Sequence, residues 1–228
     1  MDFSAFENKI THNFKNQHFL ETAFTHRSYL NENRAPGREH NERLEFLGDA
    51  VLELVVTEFL YAKYPAKPEG DLTAYRAALV NTVSISDCAT RLGMNEYLLL
   101  SRGEAKDIGR ARQIILANAF EALIGAIYLD GGYDDAKKFI ASQLFAKTDE
   151  VVEKKLWQDA KSKFQEVAQE LMGITPNYQM VDQSGPDHDK KFYVGAYVGR
   201  DRLATGEGKS KQEAEQDAAQ KALIAKGW

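Results

Sequence analysis

The 228 residues include one cysteine, Cys88, and five prolines. A single thiol forms no intrachain disulfide, so the expected home is a reducing compartment, the cytoplasm. No apolar run reaches the roughly 18 residues of a membrane-spanning helix, and residues 1–3 do not begin a secretory signal; no membrane partner is expected. A cationic excess is also missing, since 29 basic side chains face 34 acidic ones for a net charge of −5. That excludes a uniformly basic protein coating nucleic acid by charge alone, but not a basic patch on an acidic body. At roughly 100–200 residues per domain, the length allows one large domain or two modest ones.

What is present changes character along the chain. Residues 1–148 read as helical throughout. Over 43–60, Leu44, Phe46, Leu47, Val51, Leu52, Leu54, Val55, Val56, Phe59 and Leu60 cover most of a helix circumference, the pattern of a helix buried on nearly all sides. Pro65 and Pro68 stop it. A helix capped by Asp71 and carrying Leu72, Tyr75, Leu79 and Val80 is expected to run on to Gly93. Residues 101–112 read as a loop, 114–129 as a strong helix closed by Gly131 and Gly132, and 134–145 as another. Residues 149–156 are charged and lack an apolar face, so the linker is expected there. From 157 to 228, a helix over 160–172 ends at Gly173. Alternation then follows at Tyr178, Met180, Phe192, Val194, Ala196 and Val198, with turns at Gly185-Pro186 and Gly199-Arg200. A last helix over 211–225 carries Ala214, Ala218, Ala222 and Leu223. The expected fold is an all-α domain followed by a small α+β domain of order α-β-β-β-α.

The densest chemistry lies in 40–49, His-Asn-Glu-Arg-Leu-Glu-Phe-Leu-Gly-Asp. Glu42, Glu45 and Asp49 stand at i, i+3 and i+7 on one helical face. Asn118 and Glu121 form an i, i+3 pair on the 114–129 helix. Two accounts fit this spacing. The acids are a solvated face, as most such pairs are, or two apolar helices turn Glu45, Asp49, Asn118 and Glu121 toward one hard divalent cation that offsets their repulsion. Oxygen donors without zinc-type histidine or cysteine spacing favour Mg²⁺, with Mn²⁺ as a substitute.

These motifs resemble the ribonuclease III family. Residues 42–49 (ERLEFLGD) match its signature, and 25–29 (THRSY) and 121–126 (EALIGA) match the flanking motifs of its endonuclease domain, in the right order. The resemblance spans essentially the whole chain, in the bacterial arrangement of nuclease domain (1–148), linker (149–156) and double-stranded-RNA-binding domain (157–228). It implies that Glu45, Asp49 and Glu121 are catalytic metal ligands, and that position 118 completes the ligand set. Glu42 and Glu69 then line the same catalytic valley in a supporting role. It also implies a homodimer cutting each strand once, leaving 5′-phosphate and 3′-hydroxyl ends and a short 3′ overhang, with roles in rRNA precursor and mRNA processing. Position 118 departs from the family pattern, which has aspartate. An amide oxygen can coordinate a cation but brings no charge. An active enzyme and a catalytically impaired duplex-RNA-binding protein are both open on that ground.

In the second domain, 160–166 (AKSKFQE) resembles the first helix of the RNA-binding fold, with Gln165 and Glu166 facing a minor groove. His188, in the β1–β2 loop, would enter a second minor groove. Lys209 and Lys211 would meet phosphates where the last helix begins. Gln212 departs from the pattern, standing where a second basic residue is common. A-form RNA hides its base edges in a deep major groove, so shape, 2′-hydroxyls and phosphate spacing are what such a domain reads. Residues 157–228 carry 10 basic and 11 acidic side chains; placement has to replace bulk charge. Cys88 reads as a small core residue, and His26 and His40 as local positioning groups.

Overall fold

The computed structural model describes residues 2–33, 37–153, 160–186 and 190–228. The chain divides into two units, Met1–Trp157 and Gln158–Trp228. The first is built of α1 (Ser4–Ile10), α2 (Gln17–Ala23), α3 (Arg27–Glu32), α4 (Glu42–Lys63), α5 (Glu69–Val80), α6 (Thr82–Arg91), α7 (Arg110–Gly131), α8 (Tyr133–Leu144) and α9 (Thr148–Glu153).

Helices α4 and α7 are the axis of this unit. α7 is long and apolar enough to cross a membrane by composition, yet most of its apolar window is buried inside the protein. Leu123, Ile124, Ala126 and Ile127 are fully enclosed, and the strip Leu52, Val55, Val56 of α4 joins them in one core. Two glycines set how closely the helices approach. A Cβ on Gly48 would lie 1.8 Å from the Glu121 carbonyl oxygen, and one on Gly125 would lie 2.3 Å from the Leu44 carbonyl oxygen. No side chain fits in either gap, so backbone packs on backbone.

The segment before α4 is pinned from several sides. Thr25 bridges Leu99, and Asn41 donates its backbone N–H to Thr25 (2.9 Å) and its side-chain amide to Ala23 (3.3 Å). The Ser28 hydroxyl accepts from Ser101 N at 3.1 Å. These bonds fix where α4 starts and so the register of its carboxylates.

Several sequence expectations change. The helix expected to run from Asp71 to Gly93 is two helices, broken at Asn81, whose side chain accepts from Ser84 N at 2.9 Å and caps α6. An asparagine able to bond the backbone competes with helix continuation. Asp71 sits in the first turn of α5, and Pro68 holds the cap position. The supposed loop over 101–112 ends early, because Arg110 opens α7. α4 is not enclosed on nearly all sides, since Phe46 is 83% exposed and Leu54 and Tyr61 face outward as well. Of the expected linker, residues through Glu153 form α9. There the Asp149 carboxylate pairs with Lys63 (2.5 Å) and accepts from the Tyr64 hydroxyl (3.4 Å), while Val151 and Val152 pack against the helical core. Residues 154–156 lie outside the described residues.

The second unit runs α10 (Ala160–Met172), β1 (Asn177–Ser184), β2 (Lys191–Val198), β3 (Asp201–Gly208), α11 (Lys211–Lys226). The strands form one antiparallel sheet in the order β1-β2-β3. Phe164 and Ala168 of α10 and Ala218, Ala219, Ala222 and Leu223 of α11 enclose a core with Ala196 and Val198. Small residues on α11 let the helix lie directly on β3: a Cβ on Gly206 would meet Ala218 N at 2.1 Å. Gly199, at φ +63°, makes the β2–β3 turn, a backbone region that favours glycine.

Candidate functional site

The α4–α7 crossing places Glu45 and Asp49, which flank Gly48, opposite Asn118 and Glu121, which precede Gly125 on α7. Glu121 is largely buried, and its pKa is pushed up to about 7, first by desolvation and then by the Asp49 and Glu45 charges. Glu45 is half-buried, and its pKa is also raised, by desolvation, by Glu42 and by Asp49. Asn118, on the facing helix, opposes that shift. Asp49 is more exposed than its apolar sequence neighbours suggest.

Glu121 and Glu45, whose carboxyl pKa values are raised in part by the neighbouring Asp49 charge, mark a site short of positive charge. Its donor set, carboxylate and amide oxygens alone, matches a hard cation such as Mg²⁺ or Mn²⁺. Among the described residues, no three histidine, cysteine, aspartate or glutamate side chains are drawn closely enough together to grip an ion. The fit therefore rests on donor chemistry and charge deficit.

Glu42 points to a different neighbourhood: it pairs with Arg27 at 3.2 Å and lies 3.7 Å from His40 Nδ1. Glu69 opens α5, accepts from the Thr73 hydroxyl at 2.8 Å, and lines a cleft with Tyr61, Lys67 and Arg76, none of them a member of the cluster. Burial lowers the pKa of His26, whose ring nitrogen accepts from Ser28 N to cap α3. Cys88 is fully buried.

Sequence reasoning missed a second feature of α4. A cleft of about 670 Å³ is lined by His18, Phe19, Thr22, Leu47 and Leu129, with the exposed Phe46 at its side. An aromatic residue set among helix-period apolar positions gives no sign of facing solvent. Gly48 and Gly125 carry a sequence signal of their own, since a glycine inside a helical pattern marks close packing.

In the second unit, Gln165 and Glu166 stand on the outer face of α10, and Lys209 and Lys211 are exposed at the start of α11. Ser210 caps that helix by accepting from Glu213 N (3.2 Å), and the Glu213 carboxylate accepts from Lys209 N at 2.9 Å. This reciprocal capping holds both lysines beside a helix N-terminus, where an anion is favoured. His188 lies outside the described residues.

A helical unit with a carboxylate cluster at a helix crossing, followed by an α-β-β-β-α unit with a cationic helix start, defines a nuclease domain joined to a double-stranded-RNA-binding domain. The family described as Ribonuclease-III-like matches residues 16–148, and the double-stranded RNA binding motif matches 160–225. Ribonuclease 3 of Bdellovibrio bacteriovorus is 44% identical over 220 residues, 96% of this chain and 94% of its own length. That of Bacillus licheniformis is 45% identical over 221 residues, 97% of this chain and 88% of its own. A solved ribonuclease III nuclease domain from Campylobacter jejuni, described for flexibility in the region of dimer formation, superposes with a TM-score of 0.56. It is 40% identical and covers 62% of this chain and 98% of its own. The chain belongs to the ribonuclease III family: it is an endoribonuclease of double-stranded RNA with its own RNA-binding domain.

Proposed function

We propose that cleavage occurs at the α4–α7 crossing, with Glu45, Asp49 and Glu121 as catalytic metal ligands and Asn118 as a fourth, neutral one. The raised pKa of Glu121, caused in part by Asp49 and Glu45, carries this reading. Mg²⁺, or Mn²⁺ in its place, supplies when bound the charge that lowers the pKa of an attacking water and steadies the leaving 3′ oxygen. The chain's own part is to keep Glu121 desolvated, so that it responds strongly to a cation, and to fix Glu45 and Asp49 by the glycine contact. The ends produced are 5′-phosphate and 3′-hydroxyl.

The working form is a homodimer, in which two such sites cut the two strands and leave a short 3′ overhang. Phe46 beside an apolar cleft supports this, because one surface holding both knob and socket can pair with its copy about a two-fold axis. Glu42 and Glu69 support the valley that the dimer encloses. In the RNA-binding domain, taken as 157–228 behind a nuclease domain of 1–148 and a linker of 149–156, Gln165, Glu166 and His188 read minor grooves. Lys209 and Lys211 take phosphates between them. The cellular setting is cytoplasmic processing of rRNA precursors and mRNA.

The test is incubation of the protein with a long RNA duplex, with and without Mg²⁺, beside Glu121→Ala. Mg²⁺-dependent cleavage is expected, lost in the variant while duplex binding persists. Cleavage by Glu121→Ala at the parent rate sinks the site assignment. Uncut duplex with normal binding supports instead the impaired RNA-binding protein, and recovery in Asn118→Asp would trace the impairment to that amide.

A further inference from the structure

The start of α10 carries two lysines, Lys161 and Lys163, which in a domain without surplus positive charge invite assignment to the RNA backbone. The structure gives Lys161 other partners. Its Nζ lies 2.5 Å from the Glu215 carboxylate of α11 and 5.0 Å from the centre of the Tyr178 ring on β1. Its backbone N–H donates to the Gln216 side-chain oxygen of α11 at 3.2 Å. Lys161 and Glu215 keep 32% and 28% of their side-chain exposure. The pair is thus drawn partly out of water, where opposite charges, and a cation over an aromatic face, attract more strongly than at the open surface.

These contacts fall where the helix needs them. The buried residues of α10 are Phe164 and Ala168, which anchor the middle of the helix on the core. Lys161 ties its first turn to both α11 and the sheet. One turn further along α10 stand the exposed Gln165 and Glu166, and one turn before Glu215 on α11 stands the exposed Lys211. A-form RNA fixes the distance from a minor groove to the phosphates of the adjoining major groove, so contact groups carried by two helices must keep a constant spacing. Resting on the reading of Gln165 and Glu166 as a minor-groove face, we propose that Lys161 is a positioning residue for duplex RNA. Its ammonium, held by Glu215 and Tyr178, braces α10 against α11 so that Gln165, Glu166 and Lys211 engage one duplex together. It makes no phosphate contact of its own.

The experiment titrates the full chain with a short RNA duplex in EDTA at several salt concentrations. Lys161→Met, which keeps the aliphatic stem and removes the charge, should bind about fivefold more weakly. Its slope of log affinity against log salt should match the parent's, whereas loss of a phosphate contact flattens that slope by about one. Glu215→Ala sets bulk charge against bracing. Deleting an anion near RNA tightens binding if charge alone counts, and weakens it if the brace is lost; weaker binding is expected, by a factor like that of Lys161→Met. The double variant should bind no more weakly than either single one, because both remove the same joint. A flattened slope in Lys161→Met, tighter binding by Glu215→Ala, or fully additive losses in the double variant overturns the proposal. Gln165→Ala separates it from the reading beneath. Parent-like binding by Gln165→Ala removes α10 as an RNA face, whereas weakened binding there beside parent-like Lys161→Met removes only the brace.

Discussion

Replacing Glu121 with glutamine should stabilise the metal-free protein at alkaline pH while abolishing cleavage. The Glu121 pKa rises from 4.5 to about 7 on folding, mainly through desolvation, with Asp49 and Glu45 adding repulsion. A raised carboxyl pKa means that the folded state holds the proton more tightly than the unfolded one. The associated stability is fully present below about 4.5 and is lost as pH climbs through about 7. At about 1.36 kcal/mol per pH unit, the ceiling is about 3 kcal/mol. Solvent screens a partly exposed carboxylate, so about half of that is expected, roughly 1.5 kcal/mol. Glutamine keeps the shape and never ionises. Glu121→Gln should therefore melt roughly 4 °C above the parent at pH 8 in EDTA, and match it at pH 4, where Glu121 is already neutral. Mg²⁺ should close the gap at pH 8 by stabilising only the parent. Calorimetric melting at both pH values, with EDTA and with Mg²⁺, reads all four conditions. An equal shift at pH 4 and pH 8, or no shift at pH 8, refutes the argument that Glu121 is held as a destabilised anion.

Gly48→Ala should cost about 3 kcal/mol or more, because its Cβ falls 1.8 Å from the Glu121 carbonyl oxygen, where only helix separation relieves the clash; denaturant melting of the nuclease domain checks this. Phe46→Asp should convert a dimer to monomers in sedimentation with little change in monomer stability, since the ring is 83% exposed; an unchanged sedimentation coefficient would rule out that face. Lys211→Ala should weaken duplex binding and flatten the slope of log affinity against log salt by about one, measured by titration in rising salt. Ser210→Ala, which removes the cap of α11, should cost about 1 kcal/mol and weaken duplex binding while leaving cleavage chemistry at saturating RNA intact.

Local patterns made much of this protein legible. The helix over Ala160–Met172, the three strands and the final helix follow from period, turn glycines and small residues, all properties of near neighbours in the chain. The spacing of Glu42, Glu45 and Asp49, and of Asn118 and Glu121, likewise put each set on one face of its helix, because i, i+3 and i+4 spacing fixes a helical face before any packing occurs. The sequence could not show the break at Asn81, which depends on a side chain out-competing helix continuation. Nor could it show that residues 149–153 fold onto the helical core through Lys63 and Tyr64, groups more than eighty residues away.

Composition and spacing by themselves determined that two domains exist, that one gathers acids, and that the other must bind its ligand by placement, having no surplus of positive charge. Tertiary structure decided the rest. It turned two glycines into the contact that sets Glu45 and Asp49 against Glu121, and it left Phe46 in solvent. The physical reason is range. Periodicity records which face a residue occupies on its own helix, whereas desolvation, charge coupling and exposure depend on what another helix brings to that face.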